Sequence, residues 1–210
     1  MAEVTISADQ VREALRRAAA ALRERSDYLT ELDQAMGDGD LGITARKIAG
    51  ALEDYASTAG GEDDLGKYLM TAGMKVNGAA PSTMGTLIAS ALMRAGREAK
   101  GRTELDPPTL AAMLKAADLG IQERGKAKPG DKTLIDALHP AAERFAEAVE
   151  RGDDLPAAGR EMLAAAEEGL ESVTPLQSRI GRAGWVGERT QGKVDPGCAL
   201  VVTVLQSICA

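Results

Sequence analysis

Apolar side chains recur along most of this chain at helical rather than strand spacing. Val11, Leu15, Ala18 and Leu22 follow Ser7-Ala8-Asp9-Gln10, in which a hydroxyl and an amide three residues apart form a capping box. A second helix carries Tyr28, Leu29, Leu32 and Met36 and stops at Gly37; a third starts near Gly42 and runs to about Tyr55. Ser57 to Asp64 (STAGGEDD) has the composition of a loop. Further helices are predicted near 65–76, 83–99, 108–124, 133–149 and 155–172, with Pro140 bending or breaking the fourth of these. The last segment begins Asp195-Pro196-Gly197. Its body, Cys198 to Ile208, is almost wholly apolar and fits a buried strand as well as a buried helix, but Asp at an N-cap and Pro at the first helical position decide for helix. With no sustained alternation elsewhere, the prediction is one all-α domain over residues 1–210 with eight or nine helices.

Composition sharpens this picture. Aromatics are only 2% of 210 residues, so the core must be built from Ala, Leu, Val, Ile and Met, whose small sizes favour closely packed helices. The net charge of -7 and the lack of a dominant Lys/Arg cluster argue against a nucleic-acid partner; the basic residues at 12, 16, 17, 23 and 25 read as a solvated helix face. Cys198 and Cys209 form no CxxC pair and read as buried free thiols. No secretory h-region opens the chain and no run approaches a membrane span, which predicts a cytoplasmic location without membrane attachment.

Four interruptions between helices are richer in Gly, Asp, Thr and Arg than connectors need. In Leu32-Asp33-Gln34-Ala35-Met36-Gly37-Asp38-Gly39-Asp40-Leu41-Gly42, Asp33 falls on a helix's last turn, and Asp38 and Asp40 on the turn that follows. Carboxylates at the negative end of a helix dipole, crowded against one another, are costly, and a hard divalent cation such as Mg²⁺ or Ca²⁺ relieves both penalties. An EF-hand is a poor match, since its fifth position would be Gly42 and its twelfth Ala49, where a Glu is wanted. Taken alone, a plain Asp-Gly turn accounts for the segment equally well. Val76 to Thr86 offers small residues and hydroxyls before a helix, which suits phosphate, but taken alone it reads better as an ordinary capped start. Arg124 to Asp136 leads another Gly-rich turn into a helix, with spacing wrong for a Walker A loop. Gly181 to Gly197 is a long stretch with no predicted element, two arginines able to fork onto phosphate, and the chain's only Trp, placed to shield a site from water. His139, the sole histidine, reads as a satisfied structural residue.

Taken in order, three elements resemble the L subunit of the dihydroxyacetone kinase family. They are Leu-Asp-(four residues)-Asp-Gly-Asp-x-Gly; Gly-Asp-Lys-Thr followed by Asp-Ala-Leu-x-Pro-Ala; and Gly-Arg-Ala-(two residues)-Gly-Glu-Arg-(two residues)-Gly-x-x-Asp-Pro-Gly. The resemblance covers nearly the whole chain and implies an antiparallel barrel of eight helices with an adenine nucleotide, ADP or ATP, at one end. It implies that Asp33, Asp38 and Asp40 hold two Mg²⁺ ions on the phosphates, that Leu41, Gly42, Ile43 and Thr44 border the nucleotide, and that Ala79, Ala80, Ser82 and Thr83 lie near the phosphates. Gly125 and Leu134 would frame the nucleoside, Arg182 would act catalytically from a lid, and Asp195, Pro196 and Gly197 would close the pocket. A separate K-type subunit would hold the small ketose, and a phosphotransferase-system protein serves as phosphodonor in some members.

Two positions depart from the family's usual pattern. Leu41 stands where a His is usual, and Ala79-Ala80-Pro81-Ser82-Thr83 replaces a Gly-Ala-Ser-Gly type turn. Leu cannot donate to a phosphate, which predicts exchangeable ATP rather than permanently held ADP. The implied function is phosphoryl transfer to dihydroxyacetone or a related ketose. The alternative is a nucleotide-binding regulatory protein without catalysis.

Overall fold

The computed structural model describes residues 5–58 and 63–209. Its helices are α1 (Ala8–Glu24), α2 (Ser26–Gln34), α3 (Leu41–Thr58), α4 (Leu65–Ala79), α5 (Thr83–Glu98), α6 (Pro107–Gly125), α7 (Ile135–Arg151), α8 (Leu155–Val173), α9 (Gly181–Val186) and α10 (Pro196–Cys209). The Ser7–Gln10 capping box forms with both of its hydrogen bonds. The expected loop over 57–64 is shorter than its composition suggests: α3 extends to Thr58, residues 59–62 lie outside the described residues, and Asp64 caps α4 through Lys67 N–H at 3.0 Å. One antiparallel pair was not expected, β1 (Ile6–Ser7) with β2 (Glu104–Leu105); its strands are too short to leave an alternating pattern.

Eight helices close a ring of successive contacts: α1 on α3, then α4, α5, α6, α7, α8, α10 and back to α1. That ring is the expected barrel. The extra helices, α2 and α9, sit in its connections, which is why the described residues hold ten helices rather than eight or nine. Small side chains fill the interior, with Ala19, Ala45, Ala89, Ala137 and Ala158 all at 0% exposure among Ile48, Leu29 and Ile135. Burying each larger aliphatic is worth about 1.5–3 kcal/mol. The apolar run in α10 is explained by its two buried faces: Cys198, Val201 and Leu205 join one core cluster, and Ala199 and Leu200 another.

Pro140 neither breaks nor ends α7, which runs through it. A proline there removes the donor for the carbonyl of Asp136. That carbonyl is instead covered by Gly169 of α8, where a Cβ would come within 2.0 Å of it, so only glycine permits the approach. Cys198 is buried as expected, whereas Cys209 is half-buried. Of the basic residues at 12, 16, 17, 23 and 25, Arg16, Arg23 and Arg25 are exposed as expected, while Arg12 and Arg17 are partly buried; Arg16 and Arg17 also donate to the end carbonyls Ala56 O and Ile208 O, both at 3.2 Å, so they cap α3 and α10.

Candidate functional site

The acidic turn between α2 and α3 is built by backbone bonds to one residue. Met36 N–H and Gly37 N–H both donate to Asp33 O, while the Met36 side chain is buried at 1% exposure and anchors the turn. The Asp33 carboxylate accepts the N–H of Leu41 at 3.0 Å, and Asp40 O accepts that of Thr44 at 3.0 Å. Asp33 therefore sits at the negative end of α2 and the positive end of α3 at once. The dipole penalty expected from the sequence is offset, and the mutual repulsion of the carboxylates remains. Oxygens from Asp33, Asp38 and Asp40 all lie within 4.8 Å of one another, a hard-oxygen set that suits Mg²⁺ with water and phosphate completing its shell.

The turn abuts the starts of α3 and α5. Thr44 Oγ1 donates to Ser82 Oγ at 3.3 Å, and Ser82 Oγ also accepts Gly85 N–H at 3.1 Å as the cap of α5. Beside it opens a cleft of about 760 Å³ lined by Asn77, Pro81, Ser82, Thr83, Thr86, Leu87, Arg124, Gly125 and Arg182. Of the expected nucleotide neighbours, Ser82, Thr83, Gly125 and Arg182 thus form the wall. Asn77, Thr86 and Arg124 were visible as residues of the interruptions, but no motif singled them out.

Other expected neighbours are placed differently. Leu41 packs into the core rather than toward the cleft. Gly42 is held against α2, where a Cβ would lie 2.0 Å from both Ser26 O and Thr30 Oγ1, so its lack of a side chain serves helix packing. Ile43 and Ala79 are exposed, and Ala80 is buried, its carbonyl accepting Ser82 N–H at 2.8 Å. Leu134, Asp195, Pro196 and Gly197 are buried and do not line the cleft; Gly197 packs closely on Asp195 and Leu134. Asp195 caps α10, accepting Cys198 N–H at 2.8 Å. Burial, with Asp136 adding to it, pushes its carboxyl up to about 6 against the pull of the Cys198 bond and Lys132. His139 has the expected structural partner: its Nδ1 lies 2.8 Å from Asp118 Oδ2.

The segment before α10 was expected to lack elements, yet it folds as α9 followed by a single 3-10 turn over Gly187–Thr190. It reaches back across the cleft mouth. Arg182 bonds Asp40 Oδ2 at 3.0 Å and forms an ion pair with Asp38. Trp185 does not shield the site; at 91% exposure it faces solvent. The base of this lid is closed by Thr190, whose Oγ1 accepts Ser178 N–H at 2.9 Å and donates to Gly187 O at 2.7 Å. Against it lies Lys132 at 1% exposure, whose Nζ donates to Thr174 O, Leu176 O and Thr190 O at 2.8–2.9 Å.

The model of the DAK2 domain family matches residues 35–210. The chain is 31% identical over 206 residues to the PEP-dependent dihydroxyacetone kinase, ADP-binding subunit DhaL, of Escherichia coli K12, covering 98% of this chain and 97% of that protein. It is 32% identical over 182 residues to a Listeria innocua protein named in the same way, covering 85% and 82%. It is 30% identical to the L-erythrulose kinase of Pectobacterium atrosepticum, covering 87% of this chain and 31% of that protein. Among solved structures, the native dihydroxyacetone kinase of C. freundii superposes with a TM-score of 0.75 at 22% identity, and its complex with AMP-PNP and Mg²⁺ with 0.72 at 20%. This chain spans only 36% and 34% of those two chains, and at such identity the likeness establishes the fold.

Proposed function

The chain belongs to the DAK2-domain family as a DhaL-type subunit of dihydroxyacetone kinase, and on that premise we propose that it binds an adenine nucleotide with Mg²⁺ and passes a phosphoryl group to a small ketose held by a K-type subunit. The observation that carries this reading is the meeting of three carboxylates, within 4.8 Å of one another, with Arg182 of the lid at the mouth of the cleft. The names of the relatives above, kinases of dihydroxyacetone and L-erythrulose, support the substrate class. No helix among the described residues is long and apolar enough to cross a membrane.

Each group has a distinct part. Asp33, Asp38 and Asp40 would hold the metal, two ions by the family resemblance, whose chemistry is to neutralise the phosphate oxygens. Ser82, Thr83 and the positive end of α5 receive phosphate, and the cleft beside Gly125 receives the nucleoside. Gly42, Ala80, Leu134, Asp195, Pro196 and Gly197 shape the wall from behind. Arg182 exchanges its carboxylate partners for charge that develops on the transferring phosphoryl group.

On the donor, the relatives' names, PEP-dependent and ADP-binding, favour ADP over ATP; by the family resemblance that ADP would stay bound and be recharged by a phosphotransferase-system protein. Leu41 favours exchangeable ATP, since its buried, apolar side chain offers the phosphates no donor. Purification in Mg²⁺ without nucleotide, exhaustive dialysis and assay of bound adenine separates the two. Stoichiometric ADP supports the first and an empty protein the second. Turnover with the K-type partner then tests the function itself: tight Mg-nucleotide binding without turnover would assign the regulatory role instead.

A further inference from the structure

A Gly-Asp-Lys-Thr sequence in a nucleotide-binding chain invites a phosphate-binding role for its lysine. The structure assigns Lys132 a different role: it is the positioning residue that holds the lid, and through it Arg182, over the acidic turn. This inference rests on the proposed function of Arg182.

An ammonium has three N–H groups. Lys132 donates to three backbone carbonyls, Thr174 O at 2.8 Å, Leu176 O at 2.9 Å and Thr190 O at 2.8 Å. Two of these precede α9 and the third follows it, so a single side chain ties both ends of the segment that carries Arg182. Lys132 is 1% exposed, its three donors are all occupied, and the cleft lining does not include it. Burial lowers its pKa, opposed chiefly by nearby Asp195.

The loop that carries Lys132 is fixed in its turn. Asp136 at the start of α7 accepts N–H bonds from Gly130 and Thr133, the latter at 2.8 Å, and Asp131 O accepts Arg179 N–H from the lid at 3.2 Å. Lys132 itself holds a φ of 61°, the left-handed region that a residue with a Cβ enters only when its surroundings dictate it. A continuous path therefore runs from α7 through Asp136, the 130–133 loop and Lys132 to the lid base, and ends at Arg182 against Asp38 and Asp40.

The test uses Lys132→Met, which keeps length and bulk and removes every donor. Trp185 is the chain's only Trp and sits on α9, so its steady-state anisotropy reports lid mobility with no partner present. Expected are lower anisotropy, a Kd for Mg-ADP within about threefold of wild type, and turnover with the K-type partner reduced more than about tenfold at unchanged KM for the ketose. Combined with Arg182→Ala, the substitution should lower turnover no further, because both act through one group. Should Lys132→Met not fold, Thr190→Val opens the same base without touching a charge and must give the same pattern. Mg-ADP affinity that falls as steeply as turnover would overturn the assignment in favour of a phosphate lysine, and unchanged anisotropy or multiplicative losses in the double variant would overturn it outright. Failure of wild-type protein to bind Mg-ADP would instead strike the functional reading on which this rests.

Discussion

Two loops of this barrel handle charge in opposite ways. The 33–40 turn gathers three carboxylates, and the side chains of Asp38 and Asp40 remain about half exposed, paired with an arginine distant in sequence. The 130–136 loop buries Asp131, Lys132 and Asp136 and satisfies them internally: each carboxylate accepts backbone N–H groups, and the ammonium spends all its donors on carbonyls. Buried polar groups that are fully paired rigidify a fold, while charge left unbalanced at a cleft rim is available to a ligand. The first loop is therefore read as the binding element and the second as its scaffold.

The largest effect is expected at Arg182. Arg182→Ala should cut turnover with the K-type partner by about 10²–10³, the range for losing one preorganised donor to developing charge, while leaving Mg-ADP affinity nearly intact. Unchanged turnover in a steady-state assay would mean the lid is no part of the chemistry.

Next in size is the acidic turn. Asp38→Asn should weaken Mg-nucleotide binding by about 2–3 kcal/mol in calorimetry, since one charged ligand is lost, yet it should slightly raise the melting temperature of the free protein by relieving repulsion. A scaffold role for Asp38 would lower both.

The smallest effect belongs to Asp195, behind the cleft. Its carboxyl titrates near 6 folded against 3.8 for the free group, so between those values the native state holds the extra proton and stability falls as pH rises. Asp195→Asn should remove that slope, flattening stability from about pH 4 to 6 by about 1–3 kcal/mol relative to wild type. Urea unfolding of both proteins across this window measures the difference, and parallel pH profiles would contradict it.

The sequence made some of this plain and left the rest hidden for identifiable reasons. Ser7–Gln10 and Asp195-Pro196 are local signals, decided within a few residues, and both caps form. Asp33, Asp38 and Asp40 lie on one turn, so their proximity was legible as spacing. The Thr44–Ser82 bond, the three carbonyls on Lys132 and the reach of Arg182 to Asp40 join residues 38 to 142 positions apart, and no local pattern encodes them. α9 escaped notice because Gly181, Gly184 and Gly187 argue against helix. The exposure of Trp185 ran against a large aromatic's usual preference for partial burial.

Nucleotide is expected to enter this cleft only with its metal, because three carboxylates would otherwise face its phosphates. Calorimetric titration of ADP into dialysed protein, once with excess Mg²⁺ and once with excess EDTA, tests it directly. A saturating isotherm is expected with Mg²⁺, and binding weakened by at least about two decades, about 2.7 kcal/mol, in EDTA. Equal affinity under both conditions would contradict it.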